Sequence, residues 1–113
     1  MNDLIKYYSR KDVQRAIVEI SKNREVAVEF FDKGYGKRPD AINFDNDIYE
    51  LAKKGATSFH ISEELWRDPL LIRTGMTKKQ LDELRIGWDL LLDLDSLDLE
   101  YSKLAAYYLL EAL

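Results

Sequence analysis

Three spacings of apolar residues divide this chain into its elements. Val13, Ala16, Ile17 and Ile20 recur at the interval of a helix buried along one side, which predicts a helix over residues 10–22. Ser9-Arg10-Lys11-Asp12 stands before them as a capping box, with Ser9 as N-cap and Asp12 in place of the usual Glu or Gln. Leu4, Ile5, Tyr7 and Tyr8 predict a short separate helix, or a staple packed onto the first. The period then changes to two. Val26, Val28 and Phe30 alternate with other residues over 24–31, a β-branched and aromatic pattern that predicts a strand. A turn with two glycines follows at 32–39, and 41–44 could return as an antiparallel strand.

Helical spacing resumes at Ile48, Leu51 and Ala52, with Asp45 as N-cap of a helix over 46–54 and Gly55 as its stop. Residues 57–62 read as a strand with Phe59 and Ile61 on one face, and 63–71 as irregular. Thr77-Lys78-Lys79-Gln80 is a second capping box that opens a helix to Leu84. Residues 88–92, with Leu90, Leu91 and Leu92 in a row, are apolar on both faces and predict a strand covered on two sides. From Asp98 onward Leu99, Leu104, Ala105, Tyr108, Leu109 and Leu113 outline a last helix. Tyr107, Leu110 and Ala112 widen its apolar face until it wants cover on several sides. The expected fold is α/β: one small mixed sheet of about four strands with helices packed on it.

Composition narrows the chemistry. A length of 113 residues predicts one domain over 1–113, and 46% hydrophobic with 34% charged residues allows a core and a wet surface. Without cysteine there is no disulfide, zinc–thiolate centre or cysteine nucleophile, and His60 alone cannot build a multi-histidine metal site. No apolar run approaches the ~20 residues that span a bilayer. Met1-Asn2-Asp3 lacks the layout of a signal peptide, so a cytoplasmic protein with no membrane partner is expected. The net charge of −4 argues against gripping nucleic acid by charge alone. Yet Lys33, Lys37 and Arg38 cluster in one turn, and Asp89, Asp93, Asp95, Asp98 and Glu100 cluster near the C-terminus.

The candidate chemistry lies where the 88–92 strand meets these acids. Side chains two apart on a strand share a face, so Asp93 and Asp95 would stand ~7 Å apart and repel unless a cation or water lies between them. Such a pair can hold a divalent metal; it is also an ordinary way for a strand to reach water. Ser58-Phe59-His60 would put Ser58 and His60 on one face, where they serve either substrate binding or the strand alone. No Walker loop, dinucleotide fingerprint or Gly-x-Ser-x-Gly elbow is present.

Taken in order, several stretches resemble the small catalytic subunit of archaeal and eukaryotic DNA primases. They are Tyr7-Tyr8, the strand Arg24-Glu25-Val26-Ala27-Val28-Glu29-Phe30, the strand from Phe59 to Ser62, the Asp68-Pro69 turn, and Asp89-Leu90-Leu91-Leu92-Asp93-Leu94-Asp95 running into Asp98-Leu99. The resemblance implies that Asp93 and Asp95 are two of the acids binding Mg2+ or Mn2+ for nucleotidyl transfer in primer synthesis. It also implies that the 113 residues are the N-terminal portion of a primase catalytic core, whose third aspartate and Ser-x-His motif come later. The partners it implies are a single-stranded DNA template, nucleotides, and the primase large subunit or the remainder of the chain. Arg24, Lys33, Tyr35, Lys37 and Arg38 are the candidates for holding template, since they mix charge with a stacking ring. The alternative is a non-catalytic primase-like module that binds a protein partner, or itself, through the C-terminal helix.

Overall fold

The strand β1 (Val26–Phe30) is the centre of the sheet over which the buried core forms. The structure, a computed structural model, describes residues 2–113. β1 pairs antiparallel with β2 (Gly34–Tyr35) on one side and β3 (Ala56–Ile61) on the other, giving the order β2-β1-β3. Val26 and Val28 are buried on one face of this sheet, opposite Ile61 and Phe59 of β3. Three helices cover that face: α1 (Asn2–Tyr8), α2 (Lys11–Ile20) and α3 (Asp45–Lys53). Ile48 and Ala52 of α3 and Tyr8 of α1 complete the buried cluster with Val26, Val28, Ile42 and Ala56. Each apolar side chain so buried contributes ~1.5–3 kcal/mol, which makes this cluster the main source of stability.

Local signals set the element ends. Tyr8 closes α1 by donating its hydroxyl to the Thr57 carbonyl at 3.0 Å and meeting the Phe59 ring edge-on at 5.1 Å. Its backbone carbonyl accepts from Gln14 Nε2 at 2.8 Å, which satisfies a buried amide. α2 begins at Arg10 without a side-chain cap, so the expected box on Ser9 is not formed. Ser9 instead donates to the Lys6 carbonyl, and Asp12 pairs with Arg10 at 2.6 Å. α3 stops at Lys53, and Gly55 takes φ 103°, a conformation that a side chain would resist. The Thr77 box is made as predicted, with Gln80 N–H donating to Thr77 Oγ1 and Thr77 N–H to Gln80 Oε1, and opens α4 (Lys78–Leu84). Asp98 caps α5 (Leu99–Ala112) through the Glu100 N–H.

The α/β class stands, but the strands divide between two sheets and every pairing is antiparallel. The second sheet joins β4 (Glu64–Trp66) to β5 (Arg85–Trp88). β4 falls inside a stretch read as irregular, because three residues are too few to show a period. The expected return strand at 41–44 does not form: Asp40, just before it, makes a single bridge with Val26, and β2 takes its place beside β1. The largest departure is at 88–92. β5 ends at Trp88, and residues 89–97 run without regular structure, Leu90 and Leu91 being 73% and 68% exposed. The expected buried strand is therefore an uncovered apolar run. α5 is equally bare, with Leu104, Tyr107, Tyr108 and Leu110 exposed. The radius of gyration, 16.6 Å, exceeds the ~13 Å of a compact chain this long, as these standing-off segments require.

Candidate functional site

The residues singled out by chemistry fall into three groups around the first sheet. The first group fixes the path into the acids. Arg24 lies in the turn before β1 with its side chain only 13% exposed. It donates to the Ser62 carbonyl at 3.0 Å and meets Asp89 Oδ2 at 2.6 Å. The Asp89 N–H donates to the Glu63 carbonyl at 2.9 Å, one step beyond the β4–β5 ladder. The chain thus reaches the acidic stretch from a point tied down by one ion pair and two backbone carbonyls. Asp93 and Asp95 follow in the exposed irregular run, four and six residues beyond that anchor. Among the described residues no three His, Asp or Glu side chains converge as a metal cluster.

The second group is the turn after β1. Lys37 Nζ lies 3.9 Å from Asp40 and Arg38 Nε donates to Glu25 Oε1 at 3.0 Å, while Lys33 is exposed. With Arg24 on Asp89, three of the four proposed template-holding cations have an acid of their own. Their charge is divided rather than gathered into one patch, and the pairs made by the exposed Lys37 and Arg38 are worth little to stability. Tyr35 is half exposed, and its ring meets that of His60 at a steep angle with the ring centres 5.2 Å apart.

The third group lies on the sheet face turned away from the helices. Glu29 of β1 and Ser58 and His60 of β3 meet there. His60 Nε2 is 3.1 Å from Glu29 Oε1 and 3.0 Å from Ser58 Oγ, and Ser58 also donates to Glu29 at 3.2 Å. Both contacts fall on one ring nitrogen. A hydrolytic triad needs the acid and the serine on opposite nitrogens, so this arrangement does not activate Ser58 as a nucleophile. The Ser58-x-His60 spacing foretold that the two would share a face. Their acid, Glu29, sits 31 residues before His60 and becomes visible only once β1 is set antiparallel to β3.

Of the tyrosines noted at the start, Tyr8 is buried and its phenol is pushed above the usual range, first by burial and then by the neighbouring Tyr7. That ring serves packing. No helix among the described residues is long and apolar enough to cross a membrane. Neither a protein family, nor a curated protein, nor a solved structure matches the chain.

Proposed function

We propose that the chain belongs to a primase-type nucleotidyltransferase and that Asp93 and Asp95 supply two carboxylates of a divalent-metal site. The observation that carries this reading is the anchoring of Asp89, by Arg24 at 2.6 Å and by the Glu63 carbonyl at 2.9 Å, which delivers the two acids to solvent from a fixed point at the sheet margin. The order of elements along the sequence supports the same reading. In this chemistry a 3′-hydroxyl attacks the α-phosphorus of a nucleotide and pyrophosphate leaves. Divalent ions held by Asp93 and Asp95 with a further acid would lower the pKa of the hydroxyl and neutralise the leaving group. Aspartate oxygens suit Mg2+ and Mn2+, and a further acidic ligand is required beyond these two.

Mn2+ titration followed by amide line broadening tests the metal half. Resonances of residues 92–96 should broaden first in the natural chain. Asp93→Asn with Asp95→Asn should need at least ~10-fold more Mn2+ for the same effect, a ratio set by ~1.4 kcal/mol of lost binding. Unchanged broadening in that variant would remove the metal site.

A second reading is a non-catalytic interaction module that binds a protein partner, or itself, through α5. The exposure of Leu104, Tyr107, Tyr108 and Leu110 on one helix favours it, since bare apolar patches of this kind mark interfaces. A monomer at every concentration in sedimentation would rule out self-association.

A further inference from the structure

β3 is an edge strand with half of its backbone groups turned outward. In the order β2-β1-β3 its second side faces no strand of that sheet. Ser62 N–H donates to the Glu25 carbonyl, so Ser62, His60 and Ser58 direct their backbone groups towards β1. Ile61 and Phe59 therefore direct theirs outward. The Tyr8 hydroxyl reaches Thr57 from outside β1, as this alternation requires.

The chain after β5 already points along that edge. Glu64 faces Trp88 and Leu65 faces Gly87, and the Asp89 bond to Glu63 adds one more step with the same offset. Leu90 and Leu91 lie beside Ile61 and Ser62, lining a cavity of about 300 Å3 with Ile20 and Arg24. Continued unchanged, the ladder would set Leu92 opposite His60 and Asp93 opposite Phe59. That register is the wrong way round. It turns a carboxylate towards the apolar side shared by Phe59 and Tyr8, and Leu92 and Leu94 towards the polar side of His60 and Ser58. A shift of one residue exchanges the two faces.

We infer that residues 90–95 dock on the free edge of β3 through a one-residue bulge near Leu90, setting Leu92 opposite Ile61, Asp93 opposite His60, Leu94 opposite Phe59 and Asp95 opposite Ser58. The bulge puts both leucines on the helix-covered side and both acids on the face of Glu29, Ser58 and His60. Bulges already interrupt the two neighbouring ladders, between Glu29 and Phe30 and between Leu65 and Trp66. Ile61 and Phe59 then gain partners for their outward groups, and the two sheets become one. This deepens the metal reading and rests on it only for the ion: where Asp93 and Asp95 hold one, the His60 ring stands beside it, between them and Glu29.

The chain has no cysteine, so paired cysteines can read the register without background. Directly opposed residues have Cα atoms ~4.5–5.5 Å apart, within reach of a disulfide. His60→Cys combined with Asp93→Cys should oxidise at least ~10-fold faster than His60→Cys combined with Leu92→Cys, since the latter pair is offset by one residue and its side chains lie on opposite faces in the bulged register. All three positions are exposed, so the variants should keep the fold. Faster closure of the 60/92 pair, or closure of neither above a distant His60→Cys with Lys79→Cys control, overturns the proposal. In the unmodified chain the amides of Leu92 and Leu94 should exchange slowly and that of Asp93 quickly; equal fast exchange at all three also overturns it. The metal reading fails separately: cross-linking without Mn2+ broadening leaves the docking and removes the ion, and Mn2+ broadening without cross-linking does the reverse.

Discussion

Arg24 and Asp89 meet at 2.6 Å across 65 positions of sequence, and the arginine is the more buried of the two. Its second amino group holds the Ser62 carbonyl, so one side chain joins the start of β1, the end of β3 and the exit from β5. Arg24→Met should lower the unfolding free energy by about 1–3 kcal/mol, because charge-assisted bonds to partly buried acceptors are lost together. Asp89→Asn keeps a neutral acceptor and should cost less, about 0.5–1 kcal/mol. Urea unfolding of the two variants reads the difference, and equal losses would mean that the carbonyl bonds contribute nothing.

Tyr8 gives a prediction in pH. Its folded pKa lies above the ordinary 10.0, raised first by burial and then by Tyr7. The folded protein therefore keeps this proton after the unfolded chain has lost it. The contribution is fully present below pH 10 and is lost as pH rises from there through the folded pKa. In Tyr8→Phe the alkaline fall in stability should become shallower. The same change also removes the bond to the Thr57 carbonyl, at a cost of about 1 kcal/mol near neutrality. Thermal melts between pH 8 and pH 11 compare the slopes.

Arg85 is held between two indoles. Its guanidinium carbon is 4.7 Å from the ring centres of both Trp66 and Trp88, and its nitrogens reach Glu64 at 2.7 Å and Asp82 at 2.6 Å. A lysine cannot stack flat on two rings and serve two acids at once. Arg85→Lys should cost about 1–2 kcal/mol and Arg85→Ala about 2–4 kcal/mol, the latter leaving Glu64 without its partner. Guanidinium unfolding followed by far-UV circular dichroism measures both.

Core and bare surface should respond in opposite ways. Ile48 is fully buried between α3 and the sheet, and Ile48→Ala should cost about 2–5 kcal/mol through lost burial and a cavity. Leu110, 73% exposed on α5, should change stability by less than about 0.5 kcal/mol when replaced by alanine. A larger loss at Leu110, growing with protein concentration, would instead reveal a contact between copies.

Periodic burial was the legible part of the fold. α2, α3, β1 and β3 show their apolar spacing openly, since each buries one face against the same core. The cap at Thr77 is legible because it depends on neighbours within three residues. Ser9 misled because Arg10 offered Asp12 a nearer partner than the helix end. Hydrophobicity alone predicts burial of the run at 90–92, yet burial needs a partner strand in the correct register, and no local pattern carries that information. The acids Asp93 and Asp95 were visible as a pair, but the Arg24–Asp89 anchor and the meeting of Glu29 with Ser58 and His60 depend on contacts between distant strands.

Both tryptophans of the chain belong to the β4–β5 ladder, one buried and one exposed, with the same arginine between them. Intrinsic fluorescence is therefore a local gauge. It follows the margin where the acidic run departs and is blind to the core beneath α3, which circular dichroism and the tyrosines must follow. Two optical signals recorded on the same sample can accordingly tell whether that margin loosens before the rest of the molecule melts.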